Sequence, residues 1–190
     1  MTSLSQTVAR SADSAPVDAR ARLEATYRQE LAWVVRTVER LGARPGDLED
    51  LVHDVFLAFY RTLDGFDSRR PLRPWLFGIA YRVVSDYRRK ASFSRESPED
   101  TLGEVAHAGP TPVEALELAQ KRRLVLTALD ALPLDQRAVF VAVELDEQTV
   151  PEVAGTLQIP LNTAYSRLRL GRQRFAAALE RLTLNDGGAP

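Results

Sequence analysis

The sequence predicts an all-α protein of two small helical domains joined by a flexible acidic linker, the C-terminal one a helix-turn-helix. Three observations support this. Apolar residues recur at spacings of three and four along most of the chain. No segment alternates apolar and polar residues over the length of a strand. A stretch rich in Ser, Glu, Gly and Pro separates two periodic blocks, and 190 residues suffice for two small domains.

Composition excludes several classes of protein. A formal net charge of −1 excludes a globally basic nucleic-acid-binding protein, although local basic patches remain allowed. The absence of cysteine excludes disulfides, thiolate catalysis and zinc ribbons. No apolar run approaches the roughly 20 residues of a membrane span, and the polar N-terminus lacks the apolar core of a secretion signal. We therefore expect a cytoplasmic protein.

The first domain is predicted over residues 21–91, after a disordered tail over residues 1–20. Its first helix covers about residues 21–41 and stops at a Gly- and Pro-containing segment. The second covers about residues 48–63, and a loop with the sequence DGFDSRRP follows it at residues 64–71. The third covers about residues 74–90. Each helix carries an apolar stripe, so together they should form a three-helix bundle.

A linker is predicted over residues 92–114. From Ala91 to Glu114 a single arginine stands against five acidic residues, for a net charge of −4, and no apolar stripe is present. Such a composition indicates an acidic, flexible connection.

The second domain is predicted over residues 115–184, with helices at about residues 115–132 and 134–145. Thr149 should then open a short helix, because Glu152 three residues later completes a capping box. Pro160 predicts a tight turn after that helix. The final helix should start with Asn162 as its N-cap and continue to about residue 182, before a disordered tail over residues 185–190.

The end of this domain has the pattern of a helix-turn-helix. Ala154 must be small there because the second helix crosses over it. Residues 161–182 carry a net charge of +4, and an exposed basic helix behind a tight turn suits the DNA major groove. The alternative is a plain helical hairpin with a solvated basic face.

The loop and third helix carry a second basic surface, with a net charge of +6 over residues 69–90. At 100° per residue, Phe77 and Tyr81 fall off the centre of the apolar stripe, towards Arg73 and Arg88. Exposed rings among arginines suit single-stranded DNA, and the adjoining loop could accept a base turned out of the stack. Both rings could equally pack at the edge of the core.

An acidic cluster surrounds the start of the second helix: Asp47, Glu49, Asp50, His53 and Asp54. A divalent metal site is conceivable, but carboxylates there ordinarily stabilise the helix dipole. Contact with a basic protein partner is the better functional interpretation. His107, in the linker, should be exposed to solvent. No catalytic set is present, so we expect no enzymatic activity and no cofactor.

Three segments, which make up two regions, resemble a known family. DLEDLVHDVFLAFYR (Asp47 to Arg61) and FDSRRPLRPWLFGIAYRVVSDYRRK (Phe66 to Lys90) resemble region 2 of the extracytoplasmic-function (group IV) sigma factors of bacterial RNA polymerase. ALPLDQRAVFVAVELDEQTVPEVAGTLQIPLNTAYSRLRLGRQRF (Ala131 to Phe175) is similar to their region 4. Two motifs in the right order are far more specific than a lone helix-turn-helix.

The resemblance implies a role in transcription initiation: the chain would bind core polymerase and direct promoter recognition and melting. The residues implied in core binding are Asp50, Asp54, Leu57, Ala58 and Arg61. Those implied at the minus-ten element are Phe66, Asp67, Arg69, Arg70, Arg73, Phe77, Tyr81, Arg82, Arg88 and Arg89. Those implied at the minus-thirty-five element are Asn162, Thr163, Tyr165, Ser166, Arg167, Arg169 and Arg172. The linker would run towards the RNA exit path, and an anti-sigma factor would cover both binding regions.

Three positions depart from the family pattern. Arg82 stands where Asn is frequent, and Tyr165 where Lys or Arg is usual. Gln158 stands where the turn commonly has Gly. If that position needs a positive φ, Gln costs roughly 1 kcal/mol of strain.

Two other functions stay open from the residues alone. A stand-alone helix-turn-helix regulator would bind duplex DNA without polymerase. A metal-dependent phosphoryl-transfer enzyme would use the carboxylates of residues 47–54, although no second cluster completes a two-metal site. The two domains carry local charges of opposite sign, so they could also pack against each other when the protein has no partner bound.

Overall fold

The structure is a computed structural model that describes residues 15–67, 69–93 and 112–186. In these ranges the chain forms helices and no strand, which confirms the all-α prediction. The α-helices are α1 (Ala15–Leu41), α2 (Leu48–Thr62), α3 (Leu72–Phe93), α4 (Pro112–Asp130), α5 (Leu134–Phe140), α6 (Val150–Leu157) and α7 (Leu161–Asp186). Short 3-10 helices cover Pro45–Asp47 and Leu63–Gly65, and a π-helical turn covers Val141–Leu145. None of the described helices is long and apolar enough to cross a membrane.

The first three helices pack on one another through the stripes that the sequence indicated. Residues three and four apart share one face of a helix, and this face is buried on each of the three. The buried side chains include Val34, Val38 and Leu41 of α1, Val55 and Phe59 of α2, and Leu76, Ala80 and Val84 of α3. Outward-facing residues of these helices are mostly charged, as in any soluble bundle.

Helix ends differ from the predicted ones where the sequence is polar. α1 begins at Ala15, inside the predicted 1–20 tail, and α7 continues to Asp186, inside the predicted 185–190 tail. Residues 15–22 include three alanines and two arginines, which have high helix propensity, so helix is favoured in this polar segment. Parts of both predicted tails are therefore helical. Residues 1–14, 94–111 and 187–190, which hold most of the predicted linker and His107, lie outside the described residues.

The last four helices form a second unit around an apolar centre. α5 and α7 make the most extensive contact in it, flanked by α4 and α6. The single helix predicted over residues 134–145 is α5 followed by the π-helical turn, in which the Asp146 amide donates to the Val141 carbonyl at 3.1 Å. The buried side chains include Leu129, Leu132, Val139, Val141, Val153 and Leu168.

The start of the helix-turn-helix is capped as predicted. The Thr149 amide donates to Glu152 Oε2 at 2.8 Å, and the Glu152 amide donates to Thr149 Oγ1 at 3.5 Å. The Thr149 hydroxyl also donates to Glu152 Oε2 at 2.7 Å, and this bond, together with the bond from the Thr149 amide, lowers the pKa of the Glu152 carboxyl. Ala154 is 6% exposed and Ala164 is fully buried, as the crossing of α6 and α7 requires.

The turn contradicts the prediction that Asn162 caps α7, and it has the positive φ at Gln158 on which the expected strain depends. Asn162 does not cap α7, because the helix already begins at Leu161 and the Ala164 amide donates to the Pro160 carbonyl at 3.1 Å. The fixed φ of proline suits the start of a helix, so α7 begins one residue earlier. Gln158 has φ 56° and ψ 44°, the left-handed conformation that disfavours any side chain.

Replacing Gln158 with glycine should therefore raise the free energy of unfolding by about 1 kcal/mol, because glycine reaches this conformation without strain. Urea denaturation followed by circular dichroism measures the change. Gln173→Gly is the matched control: this exposed residue lies inside α7, where glycine should lower stability by about 1 kcal/mol. A loss of stability in both variants would contradict the strain at Gln158.

The two units pack against each other. α1 contacts α4, α5 and the π-helical turn, while α3 contacts α6. Gly78 of α3 allows the second approach, because a Cβ atom at this position would lie 3.3 Å from Thr156 Cγ2. The buried residues of both units form one continuous apolar cluster. The described part of the chain therefore has the closed arrangement that its charge distribution allowed.

Candidate nucleic-acid and partner interfaces

The outward face of α2 is an acidic strip with an apolar centre. Asp50 and Asp54 are exposed, Leu57 is 37% exposed, and Arg61 lies exposed at the end of the helix. Ala58 is half-buried. The opposite side of α2 is buried in the first unit, so its outward residues are fixed on a rigid element. Tyr60, which the sequence analysis did not single out, extends this surface at 42% exposure.

Asp47 belongs to the support of this helix. The Tyr87 hydroxyl of α3 donates to Asp47 Oδ2 at 2.6 Å, and burial together with this carboxylate raises the pKa of Tyr87. The bond joins the start of α2 to α3. Among the described residues, no three His, Asp or Glu side chains are placed to hold a metal ion.

The loop between α2 and α3 is held by two aromatic contacts of Phe66 and by an ion pair between Asp67 and Arg69. The Phe66 ring lies against Phe59 and Trp75, with centroids 6.4 and 5.7 Å apart. Asp67 accepts from the Arg69 amide at 3.1 Å and from its Nε and Nη2 atoms at 2.9 Å, and these bonds lower the pKa of Asp67. Arg69 and Arg70 remain exposed on the surface of the loop.

Phe77 takes one of the two placements that the sequence left open, an exposed ring or packing at the edge of the core. Its side chain is fully buried, and Tyr81 is half-buried against the core. The sequence pattern located the stripe of α3 that faces α1 and α2, but α6 also packs on α3 and covers part of its remaining surface. Core-edge packing, the alternative left open, therefore describes Phe77 in this arrangement.

The arginines of α3 fall into two groups. Arg82 is exposed, and so is Arg89, which pairs with Asp86 at 3.0 Å. Arg73 pairs with Glu30 at 2.9 Å with its guanidinium carbon 5.7 Å from the centre of the Trp33 ring, and Arg88 Nη1 donates to the Leu41 carbonyl at 3.4 Å. The second group is thus engaged within the first unit.

α7 presents the residues that a recognition helix needs. Asn162, Ser166 and Arg169 are exposed, and Tyr165 is 52% exposed; Thr163 is half-buried. Ser166 Oγ donates to the Thr163 carbonyl at 2.9 Å. Arg167 pairs with Asp135 at 3.1 Å, and Arg172 pairs with Glu144 at 2.6 Å. The first turns of α7 therefore project polar side chains, while acidic residues of α5 and the π-helical turn orient two arginines.

The contact between the units holds residues that the sequence analysis missed. Arg137 of α5 is 2% exposed, pairs with Asp130 at 2.6 Å and donates to two carbonyls of α1, those of Glu39 (at 3.5 Å) and Arg40. Arg40 pairs with Asp146 at 3.1 Å, and Arg122 pairs with Glu39 at 2.6 Å. We call the side chains of these six residues the latch: Glu39, Arg40, Arg122, Asp130, Arg137 and Asp146. In the sequence each is one charged residue among many, with no periodic signal.

Burial raises the pKa of Asp146 in the latch, against the opposing effect of Arg40. The folded chain then takes up this proton more readily than the unfolded chain, so the carboxyl favours folding increasingly as pH falls. Relative to Asp146→Asn, the wild type should gain free energy of unfolding as pH falls from 7 towards 3.8, the ordinary pKa of the carboxyl. Urea denaturation of both proteins measures the difference. A difference that is constant or shrinks on acidification would contradict this assignment.

Comparison with known proteins defines the class. The model of Sigma-70 region 2 matches residues 26–93, and that of Sigma-70, region 4 matches residues 122–175. The chain is 30% identical to the RNA polymerase sigma factor CnrH of Cupriavidus metallidurans, over 84% of this chain and 85% of the relative. It is 30% identical to the ECF RNA polymerase sigma factor SigF of Caulobacter vibrioides, over 86% of this chain and 89% of the relative.

Solved structures show the same fold. The superposition on the structure of CnrH in complex with the cytosolic domain of CnrY covers 85% of this chain and 90% of the CnrH chain, with a TM-score of 0.59 and 23% identity. The structure of the sigma factor RpoE of Bartonella quintana with the anti-sigma factor NepR gives a TM-score of 0.57, also at 23% identity, covering 81% of this chain and 96% of that chain.

Fold and surfaces together define a two-unit helical transcription factor of the sigma-70 class, a class without enzymatic activity. Within that class, the chain belongs to the extracytoplasmic-function sigma factors of RNA polymerase.

Proposed function

We propose that this sigma factor binds core RNA polymerase through the outward face of α2 and directs it to promoters, where it recognises and melts DNA. The observation that carries the proposal is the order of two family segments, each with an exposed surface of suitable charge. In this assignment region 2 spans residues 21–91, the linker residues 92–114 and region 4 residues 115–184. The site of action would be the cytoplasm, where polymerase works.

Core binding is assigned to Asp50, Asp54, Leu57, Ala58 and Arg61. Interfaces that form and dissociate combine an apolar centre with a charged rim, as this face does. Charges on the rim also steer the approach of an oppositely charged partner. The rigid packing of α2 fixes these groups before the encounter, so little conformational freedom is lost on binding.

Promoter contacts divide between the units. In region 2, the exposed arginines of the loop and α3 would hold the backbone of the minus-ten element, while the aromatic residues would support unstacked bases. In region 4, the first turns of α7 would enter the major groove of the minus-thirty-five element, with the flanking arginines on phosphates. Tyr165, in place of a basic residue, would contribute an apolar contact to that readout.

The linker, with its excess of acidic residues, would run towards the RNA exit path of polymerase. The two solved relatives above are bound to CnrY and to the anti-sigma factor NepR, respectively. By analogy, we propose that an anti-sigma factor of some kind controls this chain.

Co-elution with core polymerase free of other sigma factors tests the proposal. The purified chain should co-elute on size exclusion and should give a concentration-dependent anisotropy change when labelled. A stand-alone regulator, which the exposed start of α7 also allows, would instead bind duplex DNA without polymerase. Failure of the folded chain to bind core, together with specific binding to duplex DNA, would favour that second function.

A further inference from the structure

We infer that Leu161 and Tyr165 form an apolar pair that selects promoters by the 5-methyl groups of thymines in the minus-thirty-five element. The inference rests on the proposed function, because it assigns a base preference to the DNA-binding surface of region 4. It adds Leu161 to the residues that decide which promoters the chain accepts, and it states which base this corner of α7 prefers.

Both side chains are exposed at the same corner of α7. Leu161 is 44% exposed and Tyr165 is 52% exposed. They are four residues apart, so they are neighbours on the helix surface. Single exposed apolar side chains are normal on a soluble protein. In the described part of α7, however, the only other large apolar residue with such exposure is Leu184, at the far end of the helix.

The packing of α7 decides which way this corner faces. Ala164 and Leu168 are buried, so the outward face of the helix lies on the opposite side. Its centre carries a line of three exposed polar residues, Asn162, Ser166 and Arg169. The apolar pair borders this line in the first two turns. Because the N-terminal residues of a recognition helix are the ones that reach base edges, the pair meets bases and not phosphates.

The two arginines that flank the outward face are held by carboxylates. Arg172 lies on the side of the apolar pair, and its Nε and Nη2 atoms donate to Glu144 Oε1 at 2.9 and 2.6 Å. Arg167, on the other side, pairs with Asp135 at 3.1 Å. Cations held at the flanks suit phosphates, which carry no sequence information directly. The first two turns of α7 therefore offer apolar and short polar groups to the bases.

Thymine is the base that matches an apolar pair. It alone presents a methyl group in the major groove, where the other three bases present hydrogen-bonding groups. A base donor or acceptor that loses water against a leucine or a tyrosine ring without gaining a partner costs free energy. Residues four apart are separated by about 6 Å along the helix axis, which spans one or two base-pair steps of roughly 3.4 Å. We therefore expect two thymines within three consecutive base pairs, on either strand.

The polar line beside the pair favours the same composition. The carboxamide of Asn162 is exposed, and this group pairs with the N6 and N7 atoms of adenine. Ser166 Oγ donates to the Thr163 carbonyl at 2.9 Å, so its oxygen faces the groove as an acceptor, which suits the amino group of adenine or cytosine. Adenine beside thymine is thus the expected context.

Selection from a promoter library tests the preference. Core polymerase loaded with the full chain is offered a promoter found by run-off transcription, randomised over its minus-thirty-five element, and the bound DNA is sequenced. The wild type should select the two thymines. Tyr165→Arg should exchange one of them for guanine, because arginine pairs with the O6 and N7 atoms of guanine. Leu161→Ala should relax the preference at the other. An element without thymine, or the same preference in both variants, would overturn the inference.

Deoxyuridine in place of the selected thymines removes the methyl groups and nothing else. Each replacement should weaken binding of the wild-type holoenzyme about fourfold, the ratio expected for one buried methyl group. The variant with Leu161→Ala and Tyr165→Ala should bind both DNAs equally. Leu184→Ala is the matched control, since it removes an exposed leucine from the far end of α7 and should keep the full sensitivity. Equal binding of both DNAs by the wild type would contradict the inference.

The outcomes separate this inference from the proposed function. A wild-type chain that binds core but selects no minus-thirty-five sequence contradicts the proposed function, and the inference falls with it. Selection of a defined element that lacks thymine overturns the inference alone. If the variant with Leu161→Ala and Tyr165→Ala loses affinity for core polymerase in the absence of DNA, the pair contacts protein, and its assignment to thymine is wrong.

Discussion

Lysine at both Asp50 and Asp54 is expected to abolish co-elution with core polymerase, weakening the dissociation constant by at least about 100-fold. Like charges facing each other across an interface cost several kcal/mol, and 100-fold corresponds to about 2.7 kcal/mol. Both carboxylates are exposed on the outward face of α2, so the substitution should leave the fold intact. Anisotropy titration with core polymerase gives the constant, and circular dichroism checks the fold.

The matched control changes net charge by the same amount elsewhere. Glu117 of α4 and Glu180 of α7 are both exposed, and Glu117→Lys with Glu180→Lys should bind core as the wild type does. Equal weakening in both double variants would mean that net charge, and not the face of α2, governs binding. Wild-type affinity in the Asp50→Lys, Asp54→Lys variant would remove α2 from the interface.

Arg137→Ala is expected to lower the free energy of unfolding by about 3 kcal/mol, the second large effect. Removing one partner of a buried ion pair costs about 3–5 kcal/mol when its partner is left buried. Here Asp130 is 70% exposed, which limits that part of the loss. The unpaired carbonyls at the end of α1 and the cavity left by the side chain add to it.

Urea denaturation followed by circular dichroism measures the effect. The control is Arg123→Ala, since Arg123 is an exposed arginine of α4 and should change stability by less than about 0.5 kcal/mol. A loss below about 1 kcal/mol for Arg137→Ala would show that the docking of α5 on α1 contributes little to the folded state.

The helix positions could be predicted from local sequence rules, and the errors in the predicted helix ends also have local causes. The stripes of α1, α2 and α3 were readable because one face of each helix packs on the others. The capping box at Thr149 was readable because both partners lie three residues apart. Asn162 was misassigned as a cap because Pro160 directly precedes Leu161, the first residue of α7, and both residue types favour helix starts.

The contacts between the units could not be read from the sequence. For Phe77 the sequence left an exposed edge of α3 and packing at the edge of the core equally open, and the structure buries the ring. The role of Arg137 could not be predicted either, because its partners are backbone carbonyls nearly 100 residues away in the chain. Side chains that satisfy a distant helix end leave no periodic pattern, whereas an exposed recognition helix does.

Run-off transcription with core polymerase, free of other sigma factors, tests the central claim most directly. Adding the chain to core and a pool of genomic fragments should produce transcripts that start at discrete positions, each preceded by shared minus-ten and minus-thirty-five sequences. The Asp50→Lys, Asp54→Lys variant should produce none of them. If the folded wild type binds core yet yields only the unspecific transcripts of core alone, the chain does not direct initiation, and the account of its two DNA-binding surfaces is wrong.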